Sequence, residues 1–75
     1  MDVRAAIDEA RGLMGQDEKH AARILTDAAA ACHDAGMARE IRALGEQGLA
    51  NAGRFGKGRW EEVIRLADKH GATMS

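Results

Sequence analysis

Apolar residues recur every three to four positions along most of the chain, the spacing of one face of an α-helix. The first such segment begins after Asp2, a good N-cap, and ends at Gly15. The second is predicted to begin at the cap Asp17 and to run to Ala35, with Gly36 just past its end. These two segments predict an N-terminal helical hairpin.

Two further helices are predicted in the second half. The third spans about 37–52 and contains Gly45 and Gly48. A glycine inside a helix costs about 1 kcal/mol relative to alanine, so both positions indicate close contact between this helix and a neighbour. The fourth helix is predicted to begin near Gly58 and to end at Gly71.

The chain lacks proline and period-2 alternation of apolar residues, which leaves no basis for strands. We therefore predict an all-α fold of four short helices, arranged as two antiparallel hairpins. The expected domain covers residues 1–71, followed by a flexible tail at 72–75. The apolar run at 28–32 predicts that the second helix is contacted on two sides and forms the centre of the fold.

Composition limits the size of the core. Of 75 residues, 16 are alanine and only 17 are larger aliphatic, methionine, phenylalanine or tryptophan side chains. So small a core is often completed by a partner, which makes self-association one expected property.

The net charge of −1 conceals an asymmetry between the two halves. Residues 1–37 carry four Lys/Arg against seven Asp/Glu, whereas residues 38–75 carry seven against five. This asymmetry permits head-to-tail electrostatic association. It lacks the pronounced basic stripe that is typical of nucleic-acid binding.

A secretory signal and a membrane span are not expected, because no apolar run has the length that either requires. One cysteine excludes an intrachain disulfide. We predict a cytoplasmic location and no membrane partner.

Several stretches resemble one another and a known repeat. A glycine precedes a helix with a small or aliphatic inner face both at 13–28 and at 56–70. The stretches "REIRALGEQGL" (39–49) and "GKGRWEEVIRLADKH" (56–70) contain six residues whose type and spacing match the signature positions of a repeat made of two helices: Ile41, Leu44, Gly45, Gly58, Trp60 and Val63.

Over residues 13–70 the chain thus resembles a tetratricopeptide repeat. The resemblance implies binding of a protein or peptide on the concave face of the first helix of each pair. The residues that would form this face are Arg39, Arg42, Glu46 and Leu49. A plain four-helix bundle accommodates the same helices and stays open as an alternative.

The stretch "GRFGKGRW" (53–60) contains three glycines, three cations and the only two aromatic residues. In one interpretation Arg54, Lys57 and Arg59 contact an acidic partner, or phosphates while Phe55 stacks on a base. In the other, Phe55 and Trp60 complete the core and the cations are solvated. The shortage of large apolar groups favours the second interpretation. An exposed ring would instead be a natural interface anchor.

Nucleotide binding is not expected, because Gly56-Lys57 lacks the other residues of a phosphate-binding loop. In addition, Glu61 and Glu62 are predicted to open the fourth helix, where their carboxylates would repel a phosphate.

Metal and catalytic sites are not expected either. Cys32 and His33 diverge by about 100° on a helix, and no ligand-type spacing of His or Cys occurs. Cys32 lies on the apolar stripe and is predicted to be buried. No convergent acid, base and nucleophile can be identified, so we predict no enzymatic activity, cofactor or small-molecule substrate.

The sequence favours a non-catalytic protein-interaction module, an adaptor or regulator. It would bind a partner chain or itself through the third and fourth helices and residues 53–60. Two alternatives stay open, a nucleic-acid-associated regulator using the basic C-terminal half and a structural homo-oligomer.

Overall fold

The computed structural model describes residues 1–54 and 56–72, the last two by their backbone alone, and it contains four α-helices. The elements in order are α1 (Val3–Leu13), α2 (Glu18–Ala31), α3 (Ala35–Asn51), α4 (Lys57–Ala67) and a π-helical segment (Asp68–Ala72). No strand occurs within the described ranges. The predicted all-α, four-helix fold is confirmed.

Three aspartates cap the first three helices. Asp2 accepts a hydrogen bond from the backbone N–H of Ala5, and Asp17 accepts one from His20, each at 3.2 Å. Gly15 lies between these helices with φ +85°, a left-handed conformation that glycine adopts without a steric penalty. The predicted caps Asp2 and Asp17 and the predicted turn at Gly15 are thus confirmed.

The predicted end of the second helix is wrong. α2 ends at Ala31, and Asp34 begins α3 by accepting a hydrogen bond from the backbone N–H of Met37 at 3.0 Å. Gly36, expected just past a helix, therefore lies inside the first turn of α3. An aspartate cap supplies a partner for an otherwise unsatisfied N–H, which favours a new helix start over continuation.

The helices pack as two hairpins, α1 against α2 and α3 against α4, and the hairpins meet mainly where α2 contacts α4. α2 contacts all three other helices, in keeping with its predicted central position, although Ala30 and Ala31 of its apolar run are exposed. The largest fully buried side chains come from all four helices and the α2–α3 connection: Ile7, Leu25, Cys32, Ile41 and Val63.

Two glycines allow α4 to approach α3 closely. A Cβ atom added to Gly48 would lie 2.3 Å from Cδ2 of Trp60, and one added to Gly45 would lie 3.0 Å from Cγ1 of Ile64. The Trp60 ring thus packs directly on the backbone of α3, and only 2% of Trp60 is exposed. The close contact predicted from these two glycines is confirmed.

The fourth helix also ends differently from the prediction. Its α-helical part ends at Ala67, and the backbone continues as the π-helical segment, which packs against α3. Gly71 lies inside this segment rather than beyond the helix end. The predicted tail at 72–75 falls, apart from Ala72, outside the described residues. Among the helices described, none is both long and apolar enough to cross a membrane.

An ion-pair clasp joins the two hairpins. Arg4 donates to both carboxylate oxygens of Glu40, at 2.8 and 3.0 Å, and Arg11 donates to the same carboxylate at 3.3 Å. Glu40 belongs to α3, whereas both arginines belong to α1. The hydrogen bond from Arg4 is the main reason that the pKa of Glu40 lies below its ordinary value, and Arg11 adds to the effect.

We predict that Gly48→Ala destabilises the protein by about 1–3 kcal/mol, because the new methyl group forces the Trp60 ring out of its packing position. Gly12→Ala is the matched control, since a Cβ there has no heavy atom within 4 Å. It should stabilise α1 by about 0.5–1 kcal/mol. Chemical denaturation measures both changes, and equal stabilisation by the two substitutions would contradict the packing described.

We also predict that Glu40→Gln lowers the free energy of unfolding near neutral pH. A carboxyl whose pKa is lowered by folding contributes stability above its unfolded pKa and loses it as the pH falls through the folded pKa. The difference between wild type and variant should therefore shrink below the ordinary glutamate pKa of 4.5. Urea denaturation across this pH range provides the test. Glu61→Gln, an exposed position without an ion pair in the described structure, is the control.

Candidate functional site

The fold separates Arg39 and Arg42, two of the residues nominated on the third helix, from the basic residues that follow this helix. Arg39 and Arg42 lie in the first half of α3, whereas Arg54, Lys57 and Arg59 lie beyond its C-terminal end. At 1.5 Å per residue, Arg39 is about 18 Å from the last residue of α3 along the helix axis. The two groups therefore do not form one compact site.

The group on α3 is largely engaged within the molecule. Arg42 Nε lies 3.1 Å from Asp68 Oδ1 and 3.5 Å from Glu46 Oε1, and the Arg42 and Asp68 atoms are both inaccessible to solvent. Leu49 is half-buried against the core, while Arg39 is exposed. Arg42 thus connects α3 to the π-helical segment and has a structural role.

The second group, Arg54, Lys57 and Arg59, is here named the basic corner. All three residues are exposed, and none has an ion-pair partner among the described residues. All three lie within six residues of the chain, at the turn between α3 and α4 and in the first turn of α4. Phe55, predicted as a stacking or anchoring residue of the same loop, lies outside the described residues.

The first turn of α4 adds positive potential to the basic corner. Its N-cap is Gly56, no side chain caps it, and its first turn contains no acidic residue. The prediction that Glu61 and Glu62 open this helix is wrong, because α4 begins at Lys57 and places both in its second turn. The uncapped backbone N–H groups at the start of α4 carry a partial positive charge. This charge adds to that of the neighbouring cations, and no carboxylate of the first turn offsets it.

Glu62 is paired along its own helix and does not neutralise the basic corner. Arg65 donates from Nε to Glu62 Oε2 at 3.0 Å. This hydrogen bond is the main reason that the pKa of Glu62 lies below its ordinary value. Among the described residues, the acidic side chain nearest in sequence to the corner that makes no ion pair is Glu61.

Trp60 belongs to the core. Its ring covers Gly48, and its 2% exposure leaves no surface on which a partner could pack. For Trp60 the structure thus selects core packing over an interface anchor. Arg59 directly precedes Trp60 in the chain, so the buried ring fixes the backbone at the C-terminal end of the basic corner.

A cleft on the outer side of α2 was not found from the sequence. It has a volume of about 170 Å³ and is lined by Asp17, Lys19, His20 and Arg23. The sequence feature that could have indicated this cleft is the grouping of three basic residues, Lys19, His20 and Arg23, within little more than one helical turn. The Asp17 carboxylate already accepts the N–H of His20, so the aspartate is used as the helix cap.

The described residues offer little chemistry beyond charge. Cys32 is buried, as predicted, and its Sγ donates to the backbone oxygen of Asp34 at 3.2 Å. Within residues 1–54 and 56–72, no three His, Cys, Asp or Glu side chains are grouped so that they could hold a metal ion. No protein-family model matches the chain, and searches of curated proteins and of solved structures give no significant match.

We predict that Arg42→Ala costs about 1 kcal/mol of stability, because it removes the ion pair between α3 and the π-helical segment. Arg39→Ala is the matched control on the same exposed face, and it should change stability by less than about 0.5 kcal/mol. Thermal or chemical unfolding gives both values. An equal effect of the two substitutions would show that the Arg42–Asp68 pair does not secure the segment.

Proposed function

We propose that the protein is a non-catalytic interaction module, an adaptor or regulator, that binds an acidic segment of a partner chain through the basic corner. One observation carries this proposal: Arg54, Lys57 and Arg59 are exposed at one turn without an ion-pair partner in the described structure. Elsewhere in the second hairpin Arg42 and Arg65 are paired, whereas Arg39 and Lys69 are exposed and make no ion pair in the described structure.

The packing of Trp60 next to the basic corner favours binding of a partner. Trp60 fixes the start of α4 against Gly48, so the backbone that carries Lys57 and Arg59 is ordered before a partner arrives. Less conformational entropy is then lost when the complex forms. A carboxylate of the partner could accept hydrogen bonds from the uncapped N–H groups in the first turn of α4.

The expected affinity is modest. An exposed ion pair contributes about 0.2–1 kcal/mol, so three such contacts together contribute about 0.6–3 kcal/mol, a factor of about 3 to 160. Their main effects are to accelerate encounter and to orient the partner. A tighter complex requires additional contacts or several copies of the module on one partner.

Nucleic acid would use the same cations through its phosphates, and this alternative becomes one outcome of the test. The basic corner offers three cations, and its neighbouring ring, Trp60, is buried and unable to stack on a base. Stacking on aromatic side chains is a main source of affinity for single strands. Trp60 therefore cannot supply such stacking, and Phe55, the residue expected to stack on a base, lies outside the described residues.

We predict that the variant R54E/K57E/R59E binds a fluorescent oligoglutamate peptide at least about tenfold more weakly than wild type at low salt, because attraction is replaced by repulsion. The variant K19E/R23E/R39E is the matched control, since it reverses three exposed cations elsewhere in the chain. Fluorescence anisotropy gives the affinities, and circular dichroism checks that both variants stay folded.

Equal losses in the two variants would show that only net charge matters, and the proposed site would be wrong. Stronger binding of a single-stranded oligonucleotide than of a peptide with the same charge would assign the corner to nucleic acid instead.

A further inference from the structure

The connection between α2 and α3, residues 32–34, contains two competing signals. Leu25, Ala28 and Cys32 follow one another at spacings of four and three positions or fewer, and all three are buried, which is the pattern of a helix that continues past residue 31. Asp34 opposes continuation, because its side chain caps α3 by accepting the backbone N–H of Met37. The same residues are therefore compatible with a turn and with a continuous helix.

The backbone of this connection contains nothing that excludes a helix. Residues 32–34 include neither glycine nor proline. Cys32 has φ −80° and Asp34 has φ −113°, so both lie on the side of φ that helices use. Conversion to a helix is chiefly a rotation of ψ, from 133° at Cys32 and 121° at Asp34 to about −42°.

The other two connections differ in this respect. Gly15, between α1 and α2, has φ +85°, a left-handed conformation that ends a helix. The connection between α3 and α4 contains Gly53 and Gly56, and glycine disfavours helix because it loses the most conformational freedom on ordering. The α2–α3 connection is thus the one best suited to become helical.

The contacts that join the two hairpins all cross this connection. α2 packs against α4, and the clasp runs from Arg4 and Arg11 of α1 to Glu40 of α3. If residues 32–34 straighten, the two hairpins of one chain move apart and leave these surfaces open. The second hairpin of another copy carries the same surface, so it can replace the one that has moved away.

We propose that residues 32–34 are a hinge through which the chain forms a domain-swapped dimer. In this dimer α2 and α3 join into one helix over residues 18–51, about 50 Å long at 1.5 Å per residue. The first hairpin of each copy packs on the second hairpin of the other copy. The interface reuses the contacts between α2 and α4 and the clasp, and it needs no additional apolar surface.

The swapped dimer goes beyond the proposed function and does not depend on it. The side chains of the basic corner are exposed and make none of the contacts named above. Each dimer carries two basic corners, so a partner with two suitably spaced acidic segments binds both and gains apparent affinity.

Hinge variants of the full chain test whether helix formation at residues 32–34 drives dimerisation. Asp34→Ala removes the cap that opposes a continuous helix, whereas His33→Gly makes that helix less favourable. Asp17→Ala is the matched control, because it removes the cap of α2 and leaves the hinge unchanged. Each protein is unfolded in denaturant and refolded at about 1 mM, and sedimentation velocity then measures the dimer fraction.

We expect wild type to form some dimer with twice the monomer mass of 8.0 kDa. Asp34→Ala should raise the association constant at least about fivefold above that of Asp17→Ala, and His33→Gly should lower it by a similar factor relative to wild type. Circular dichroism checks that all the proteins are folded.

The clasp distinguishes a swapped dimer from two intact monomers lying side by side. The variants Glu40→Lys and R4E/R11E each place like charges in the clasp. In a swapped dimer of one with the other, both clasps join opposite charges again, because each hairpin meets its complement from the other chain. Refolding the two variants together should therefore raise the association constant at least about tenfold above that of either variant alone.

A wild type that stays wholly monomeric after refolding at about 1 mM would overturn the inference. A mixture of clasp variants that associates no better than the separate variants would overturn it as well, because both clasps would then be closed within single chains. Binding of the oligoglutamate peptide by the monomer tests the proposed function separately. Peptide binding without a swapped dimer would remove only this inference, and a swapped dimer without peptide binding would remove only the proposed function.

Discussion

The contact on which the structure depends most is the indole ring of Trp60 lying on the backbone of Gly48. With 16 alanines among 75 residues, the chain has few side chains large enough to fill space between helices. The Trp60 ring can occupy this position only because Gly48 leaves the surface of α3 without a Cβ atom there. Together with the contact of Ile64 at Gly45, it packs α4 on α3, and α4 in turn packs against α2 and joins the two hairpins.

The same contact shapes the surface that we propose to be functional. Trp60 follows Arg59, so the ring that fills the core also fixes the end of the basic corner. Elsewhere some charges are paired within the molecule: Glu40 accepts from two arginines of α1, and Arg42 pairs with Asp68. The basic corner stands apart because α4 begins without a capping carboxylate, whereas each of the other three helices begins at an aspartate.

Local signals predicted most of the fold, and they failed where two of them competed. The caps Asp2 and Asp17 and the turn at Gly15 were identified from the sequence alone. At 31–36, however, the apolar stripe and Gly36 predicted that α2 runs to Ala35, whereas α2 ends at Ala31 and Asp34 caps a new helix. The basic corner was recognisable from its composition. The shortage of large apolar residues favoured the burial of Trp60 that the structure shows. The pairing of Arg42 with Asp68, 26 positions further along the chain, depends on tertiary packing that no local pattern contains.

The central claim is that Trp60 supports the core while the cations beside it face outward, and quenching of tryptophan fluorescence by acrylamide tests it most directly. Trp60 is the sole tryptophan, so the signal has one source, and a neutral quencher is not attracted to the basic corner. In the folded protein we expect weak quenching that stays weak when an acidic peptide is added, and strong quenching only after unfolding in denaturant. Quenching of the folded protein as strong as that of the unfolded chain would contradict the account, because it would place the ring at the surface.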